Sequence, residues 1–289
     1  MIKIFFVLTL SIFLVKAQDE ALKFLTDDIS NQIASYSVFE KEIKLEKDTN
    51  PLFYGTAWEF KGLINPSDFS TLNSLVYKGK GKRNVFDRRK GWVFNQPSFL
   101  VNAEFSNGNN LEIIFNEEFK DCKGISKLTC NNFEEWIKDE AKLYAFILGQ
   151  IPAILRKDIQ NVAIHKGNYD YGGGNKNLLI HTDKTIEYLR ENVLQQMILH
   201  EATHNFDWLF GGVIGRQEWL TAAKADGTYI SQYAKENPER EDVTESIVPY
   251  LAARFRPERF SEEVINKVKN TIPNRMALFD DYELRFPEK

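Results

Sequence analysis

The segment Val193-Leu194-Gln195-Gln196-Met197-Ile198-Leu199-His200-Glu201-Ala202-Thr203-His204-Asn205-Phe206-Asp207 decides how the chain is read. Val193, Met197, His200, His204 and Asp207 recur at steps of four, three, four and three, the spacing of one helix face. Leu194, Ile198 and Ala202 fill the neighbouring face, so the helix is expected to be buried. His200 and His204 stand one turn apart on the same face, where two imidazole nitrogens can reach one metal ion. Glu201 points beside that ion, in place to take a proton from water as a general base. One Zn2+ per chain is the expected cofactor. The plainer alternative is a pair of helix-face histidines satisfied by hydrogen bonds.

A catalytic zinc site needs a third protein ligand. The extended pattern with a third histidine six residues after His204 fails, because Phe210 stands there and Asp207 stands where its glycine belongs. The best source is Tyr233-Ala234-Lys235-Glu236-Asn237-Pro238-Glu239-Arg240-Glu241-Asp242-Val243-Thr244-Glu245-Ser246. Pro238 suits a helix start. Glu241, Glu245, Val248 and Ala252 then share one face, and a carboxylate on a half-buried face needs a partner. A solvated helix start rich in Arg and Glu is the alternative.

His200-Glu201-x-x-His204-x-x-Asp207, followed by Tyr233-Ala234, Asn237-Pro238 and Glu241-x-x-x-Glu245, resembles the catalytic domain of anthrax lethal factor-like metallopeptidases, a gluzincin-type family. The resemblance covers about residues 191–255. It implies that Glu241 is the third ligand, that Tyr233 stabilises the reacting carbonyl oxygen, and that Glu245 supports the ligands from behind. The stretch from Tyr233 to Glu241 is one residue longer than in that pattern, which keeps Glu245 open as the third ligand. A family of secreted bacterial proteins is similar over about residues 86–280. The shared features are Phe86-Asp87-Arg88-Arg89, Gly172-Gly173-Gly174-Asn175, the His200–His204 motif, Ile230-Ser231-x-Tyr233-Ala234, the run Pro238-Glu239-Arg240-Glu241-Asp242 and Ile272-Pro273-Asn274-Arg275. Asp207 is expected to accept the free ring N–H of His204 and so fix its tautomer.

Outward from this centre, residues 133–155 carry helical spacing through Trp136, Leu143, Ile147 and Ile151, with Pro152 bending or ending the helix. Two short strands are expected at residues 161–166 and 178–181, placing His165 and His181 in strands with no role assigned. Gly172-Gly173-Gly174 between them reads as a flexible turn, since no Lys-Ser/Thr follows to make a phosphate loop. From Glu191 onward the chain reads as a series of helices. Upstream, Phe99 to Phe105 and Leu111 to Phe115 flank Ser106-Asn107-Gly108-Asn109-Asn110, a strong hairpin pattern. Ala21 to Phe39 carries helical spacing. Asp87-Arg88-Arg89 reads as an ion-pair cluster or a surface turn. Trp208 and Trp219 flank the loop at 211–215 and are expected to pack in the core.

The chain has 289 residues, 43% of them hydrophobic, with 22 Phe, 11 Tyr and 5 Trp, which excludes disorder over most of its length. Residues 1–17 read as an export signal peptide: Lys3, an apolar run from Ile4 to Val15, then Lys16-Ala17 before the cut. An uncleaved anchor helix is the alternative, and no other apolar stretch approaches transmembrane length. Cleavage removes Lys3 and Lys16 and no acid, so the net charge of −4 becomes −6, which gives no reason to expect nucleic acid as a partner. Cys122 and Cys130, eight apart in an oxidising compartment, are a possible disulfide.

Together these readings predict an α+β protein. Residues 18–125 form a β-rich N-terminal region and residues 126–289 a zincin-like metallopeptidase domain with a small sheet and the His200–His204 helix. The expected function is a secreted zinc-dependent hydrolase, first of all a metallopeptidase acting on a peptide or protein substrate, with no stable membrane insertion after signal removal. A non-peptide zinc amidase or esterase, and an inactive secreted zinc-binding protein, are the alternatives.

Overall fold

The computed structural model describes residues 51–57 and 60–288; the expected export signal and the helical spacing at 21–39 lie outside them. The architecture is α+β. Strands β1 (Leu72–Asp87), β2 (Gly91–Phe105), β3 (Asn110–Asn116), β4 (Asn161–His165), β5 (Gly172–Gly174) and β6 (Asn177–His181) form one mixed sheet in the order β1-β2-β3-β4-β6-β5. The β1–β2–β3 meander is antiparallel, β4 and β6 run parallel to β3, and β5 returns antiparallel as the edge strand.

The expected hairpin is present, with Phe99 opposite Phe115 and Ala103 opposite Leu111. Gly108, at φ 83°, supplies the left-handed turn residue between its strands. The period-two alternation of the strands separates two faces. Phe99, Val101, Ala103, Ile113, Phe115, Val162, Ile164 and Ile180 enter the main core under the helices, whereas Leu100, Ile114, Ala163 and Leu179 form a small cluster on the opposite face.

The main core is closed by helices α1 (Phe133–Gln150), α2 (Ala153–Arg156), α3 (Thr182–Arg190), α4 (Leu194–Thr203), α5 (Arg216–Asp226), α6 (Gln232–Glu236), α7 (Asp242–Phe255), α8 (Glu262–Thr271) and α9 (Pro273–Asp280). Asn132 caps α1 by accepting from the Glu134 N–H at 3.0 Å, and the helix ends at Gln150, before Pro152. None of the helices among the described residues is long and apolar enough to cross a membrane. Helix α4 packs against α7 and the edge strand β5, so the histidine motif lies where sheet and helices meet.

Strands from both sides of position 125 share the sheet, and one apolar cluster takes Phe53, Phe99, Phe146, Leu199, Tyr250 and Phe279 together. The boundary at 125/126 therefore does not divide the core. The polar stretch near it is a surface loop closed by a Cys122–Cys130 disulfide. Buried Glu140 of α1 holds that loop by accepting the main-chain N–H groups of Ile125 and Ser126 at 2.9 and 2.7 Å.

Two expectations change, and one open alternative is decided. Gly172-Gly173-Gly174 is the edge strand and not a flexible turn. A Cβ on Gly173 would lie 1.8 Å from the Glu201 carbonyl oxygen, so only glycine lets β5 approach α4 this closely. The helix after Pro238 begins four residues later, at Asp242, because residues 238–241 form a turn that leaves Glu241 at the helix mouth. Asp87-Arg88-Arg89 is an ion-pair cluster: Arg89 Nη2 donates to buried Asp87 Oδ2 at 2.8 Å. Trp219 is buried, as its core assignment requires.

Candidate metal centre

Helix α4 ends at Thr203, and His204 keeps right-handed helical angles as its last cap residue, so the one-turn spacing of the two histidines survives. Both imidazoles are buried. Glu241, at the mouth of α7, brings Oε2 to 3.3 Å from His200 Nε2 and 3.5 Å from His204 Nε2. Among the described residues this is the one group of three His, Cys, Asp or Glu side chains whose ligand atoms converge, all within 4.8 Å of one another. Two imidazole nitrogens and one carboxylate oxygen match the three-ligand donor set of an open zinc site. The carboxylate of Glu201 lies beside this group, with Oε2 3.9 Å from His204 Nε2.

Glu245 is one turn beyond Glu241 on α7 and does not join the converging group. Its Oε1 lies 3.5 Å from His200 Nδ1, on the far side of the ring, a charge contact rather than a directed hydrogen bond. Glu241 thus faces the ring edges that converge, whereas Glu245 backs His200. Glu245 is held there by the Thr56 hydroxyl, the Ala57 N–H at 2.6 Å and the Ser231 hydroxyl at 2.5 Å.

These donors arrive because residues 53–55 pair with the segment before α6. Phe53 N–H donates to Ile230 O at 3.0 Å, Gln232 N–H to Phe53 O at 2.9 Å, and Tyr233 N–H to Gly55 O at 2.8 Å. The same pairing fixes Tyr233, whose side chain is 39% exposed at the site's mouth. Burial and the neighbouring Glu241, Glu245 and Glu201 carboxylates raise its phenol to about 12, so it remains a protonated donor.

Charge is unevenly distributed in the site. Burial pulls the His200 imidazole down, but the Glu241 hydrogen bond and the carboxylates of Glu201, Glu245 and Glu241 hold it up at about 9. His204 is pushed down to about 3 by burial and by the neighbouring His200. Glu201 is raised to about 7, chiefly by burial, which suits a group that must gain and lose a proton near neutrality.

Asp207 departs from expectation. The chain turns after Thr203, and Asp207 Oδ1 accepts from the Leu209 N–H at 2.9 Å, capping the 3-10 turn Trp208–Phe210. Among the described residues neither Asp207 Oδ2 nor His204 Nδ1 has a hydrogen-bond partner, so the pairing between them is not formed. Phe210 instead stacks edge-on against the His204 ring, with centroids 5.2 Å apart. His165 and His181 lie apart from the converging group, paired with each other at the ends of β4 and β6 with ring centroids 5.7 Å apart.

No protein-family model matches the chain, and neither a curated protein nor a solved structure matches it significantly.

Several supporting residues escaped sequence reasoning. Ser231 carried a legible cue, since a serine three residues before Ala234 is an N-cap pattern, and its Oγ accepts from the Ala234 N–H at 3.0 Å. Thr56 and Ala57 carried none, because they lie nearly 190 residues away from their partner. Asp242 and Arg275 form a second buried arrangement behind Glu241. Arg275 Nη2 donates to Asp242 Oδ2 at 2.9 Å and Nη1 to Asp226 Oδ2 at 3.0 Å, while Trp219 Nε1 donates to Asp242 Oδ2 at 3.0 Å. This pins the first residue of α7 next to Glu241.

Proposed function

We propose that the protein is a secreted zinc-dependent hydrolase of zincin type, a metallopeptidase in which His200, His204 and Glu241 hold the metal. The observation that carries this is the convergence of two imidazoles and a carboxylate on one point, with the Glu201 carboxylate beside them and no other assigned task. Zinc bound there supplies a Lewis acid that polarises a carbonyl and lowers the pKa of water to about 7. Glu201 takes the proton from the attacking water and delivers it to the departing amine. Tyr233 donates its phenol hydrogen to the carbonyl oxygen as negative charge develops there. Glu245 orients His200 from behind, as partners of metal-bound imidazoles do. The edge strand β5 packs on the main chain of Glu201 and so braces the helix that carries it.

The test is elemental mass spectrometry of the purified protein beside His200→Ala. Close to one zinc per chain, lost in the variant, is the expected result and justifies a peptide-library screen. Absence of zinc from both after reconstitution overturns the proposal.

A further inference from the structure

The distal half of the β1–β2 hairpin leans over the sheet, so that β1 touches β4 although two strands separate them. Arg88 at its tip fastens it to the strand edge, with Nε donating to Asp170 O at 2.7 Å and Nη2 to Tyr171 O. Between this arm and the sheet lies a cavity of about 300 Å3, on the face opposite the helices. Its walls are Phe86, Trp92, Ala163 and Leu179, and its charged groups are Arg88 and Arg240. Phe86 and Trp92 pack edge to face at 5.8 Å, yet remain 41% and 53% exposed. Among the described residues no acidic side chain lines the cavity, although the chain carries a net charge of −4. Arg88 spends its hydrogen bonds on main-chain carbonyls and forms no ion pair among the described residues, although its charge reaches Glu201.

The cavity adjoins the metal centre. Arg240 Nε lies 3.4 Å from Glu241 Oε1, and its guanidinium sits 6.0 Å from the Phe210 ring, which stacks on His204. The three glycines of β5 line the cavity, and Gly173 among them meets the main chain of Glu201.

We propose that this cavity is a substrate subsite for a peptide segment in which an aromatic or large aliphatic side chain stands next to a carboxylate. The apolar walls cover the side chain, and at the low end of ligand-pocket volumes they admit one such group. The two guanidiniums receive the carboxylate, and they repel a lysine or arginine at the same position. The effect on turnover rests on the metallopeptidase reading; the binding itself does not.

Isothermal titration calorimetry on full-length, zinc-loaded Glu201→Gln tests this with acetyl-Phe-Glu-amide, acetyl-Phe-Lys-amide and acetyl-Gly-Glu-amide. The Phe-Glu peptide is expected to bind at least roughly tenfold more tightly than either of the others. Arg240→Gln removes the preference over Phe-Lys, and Trp92→Ala removes the preference over Gly-Glu. Zinc content is measured for each variant, so that a disturbed Glu241 is seen directly. Equal affinity for the three peptides, no binding of any, or preferences unchanged in both variants overturns the subsite. Selective binding without cleavage by the zinc-loaded native protein overturns the peptidase reading and leaves the subsite standing. Cleavage of a mixed peptide library with no bias toward such sequences does the reverse.

Discussion

Glu201 and Glu245 are both buried carboxylates whose charge acts on His200, and their surroundings set them to opposite work. Glu245 accepts three donors and is fixed. Glu201 has its proton affinity raised to about 7, chiefly by burial, and stays free to exchange a proton. Glu201→Gln is accordingly expected to lower peptide turnover by about 10²- to 10⁴-fold while zinc content is unchanged; loss of zinc or surviving turnover contradicts the role. Glu245→Gln should weaken zinc by about 10- to 100-fold, read by competition with a chelator, because a misplaced His200 ring is a poorer ligand. In Tyr233→Phe, kcat is expected to fall by about 10²-fold or more with zinc retained. At this scale the sequence was most informative where spacing alone decides geometry. His200, Glu201 and His204 need only one helical turn to meet. Asp207 was misplaced because the helix stops at Thr203, and beyond that point residue spacing no longer measures direction in space.

Glu241 reaches the centre as the cap residue just before α7, so whatever holds the start of that helix holds Glu241. Arg275 and Trp219 both donate to Asp242, and Arg275 is itself buried. Arg275→Met removes one partner of a buried ion pair and is expected to destabilise the protein by about 3–5 kcal/mol in urea unfolding. An unchanged midpoint would show that α7 is anchored otherwise. The β2–β3 hairpin was legible from its Asn-Gly turn, and α1 from apolar periodicity with Pro152 as its stop. Strand β5 was not, since three glycines have no side chains to alternate. What makes them a strand is the approach of α4, a contact between elements that pattern in one segment does not encode.

At the scale of the molecule, the arm, the sheet and the helices are joined by buried charges as well as by apolar contact. Asp87 is held at about 2: burial alone would raise it, but the Arg89 hydrogen bonds and charge, with His165 nearby, outweigh burial. Its ordinary value is 3.8, so the unfolded chain binds its proton first as pH falls. The stability it contributes is therefore complete above about pH 4 and lost toward pH 2. Asp87→Asn should be less stable than the native protein by about 2–3 kcal/mol near neutrality, and the gap should close between pH 4 and 2. Urea midpoints at pH 7, 4 and 3 measure this; a constant gap contradicts it. The sequence predicted the α+β class, but the single sheet across position 125 was hidden, because β3 and β4 pair across the intervening helices α1 and α2. One consequence concerns the order of synthesis. Thr56 and Ala57 leave the ribosome 189 and 188 residues ahead of Glu245, and Arg275 follows later still. A growing chain therefore presents His200 and His204 before Glu241 and Arg275 have been made, and the three side chains converge only once the start of α7 and its Arg275 anchor have followed.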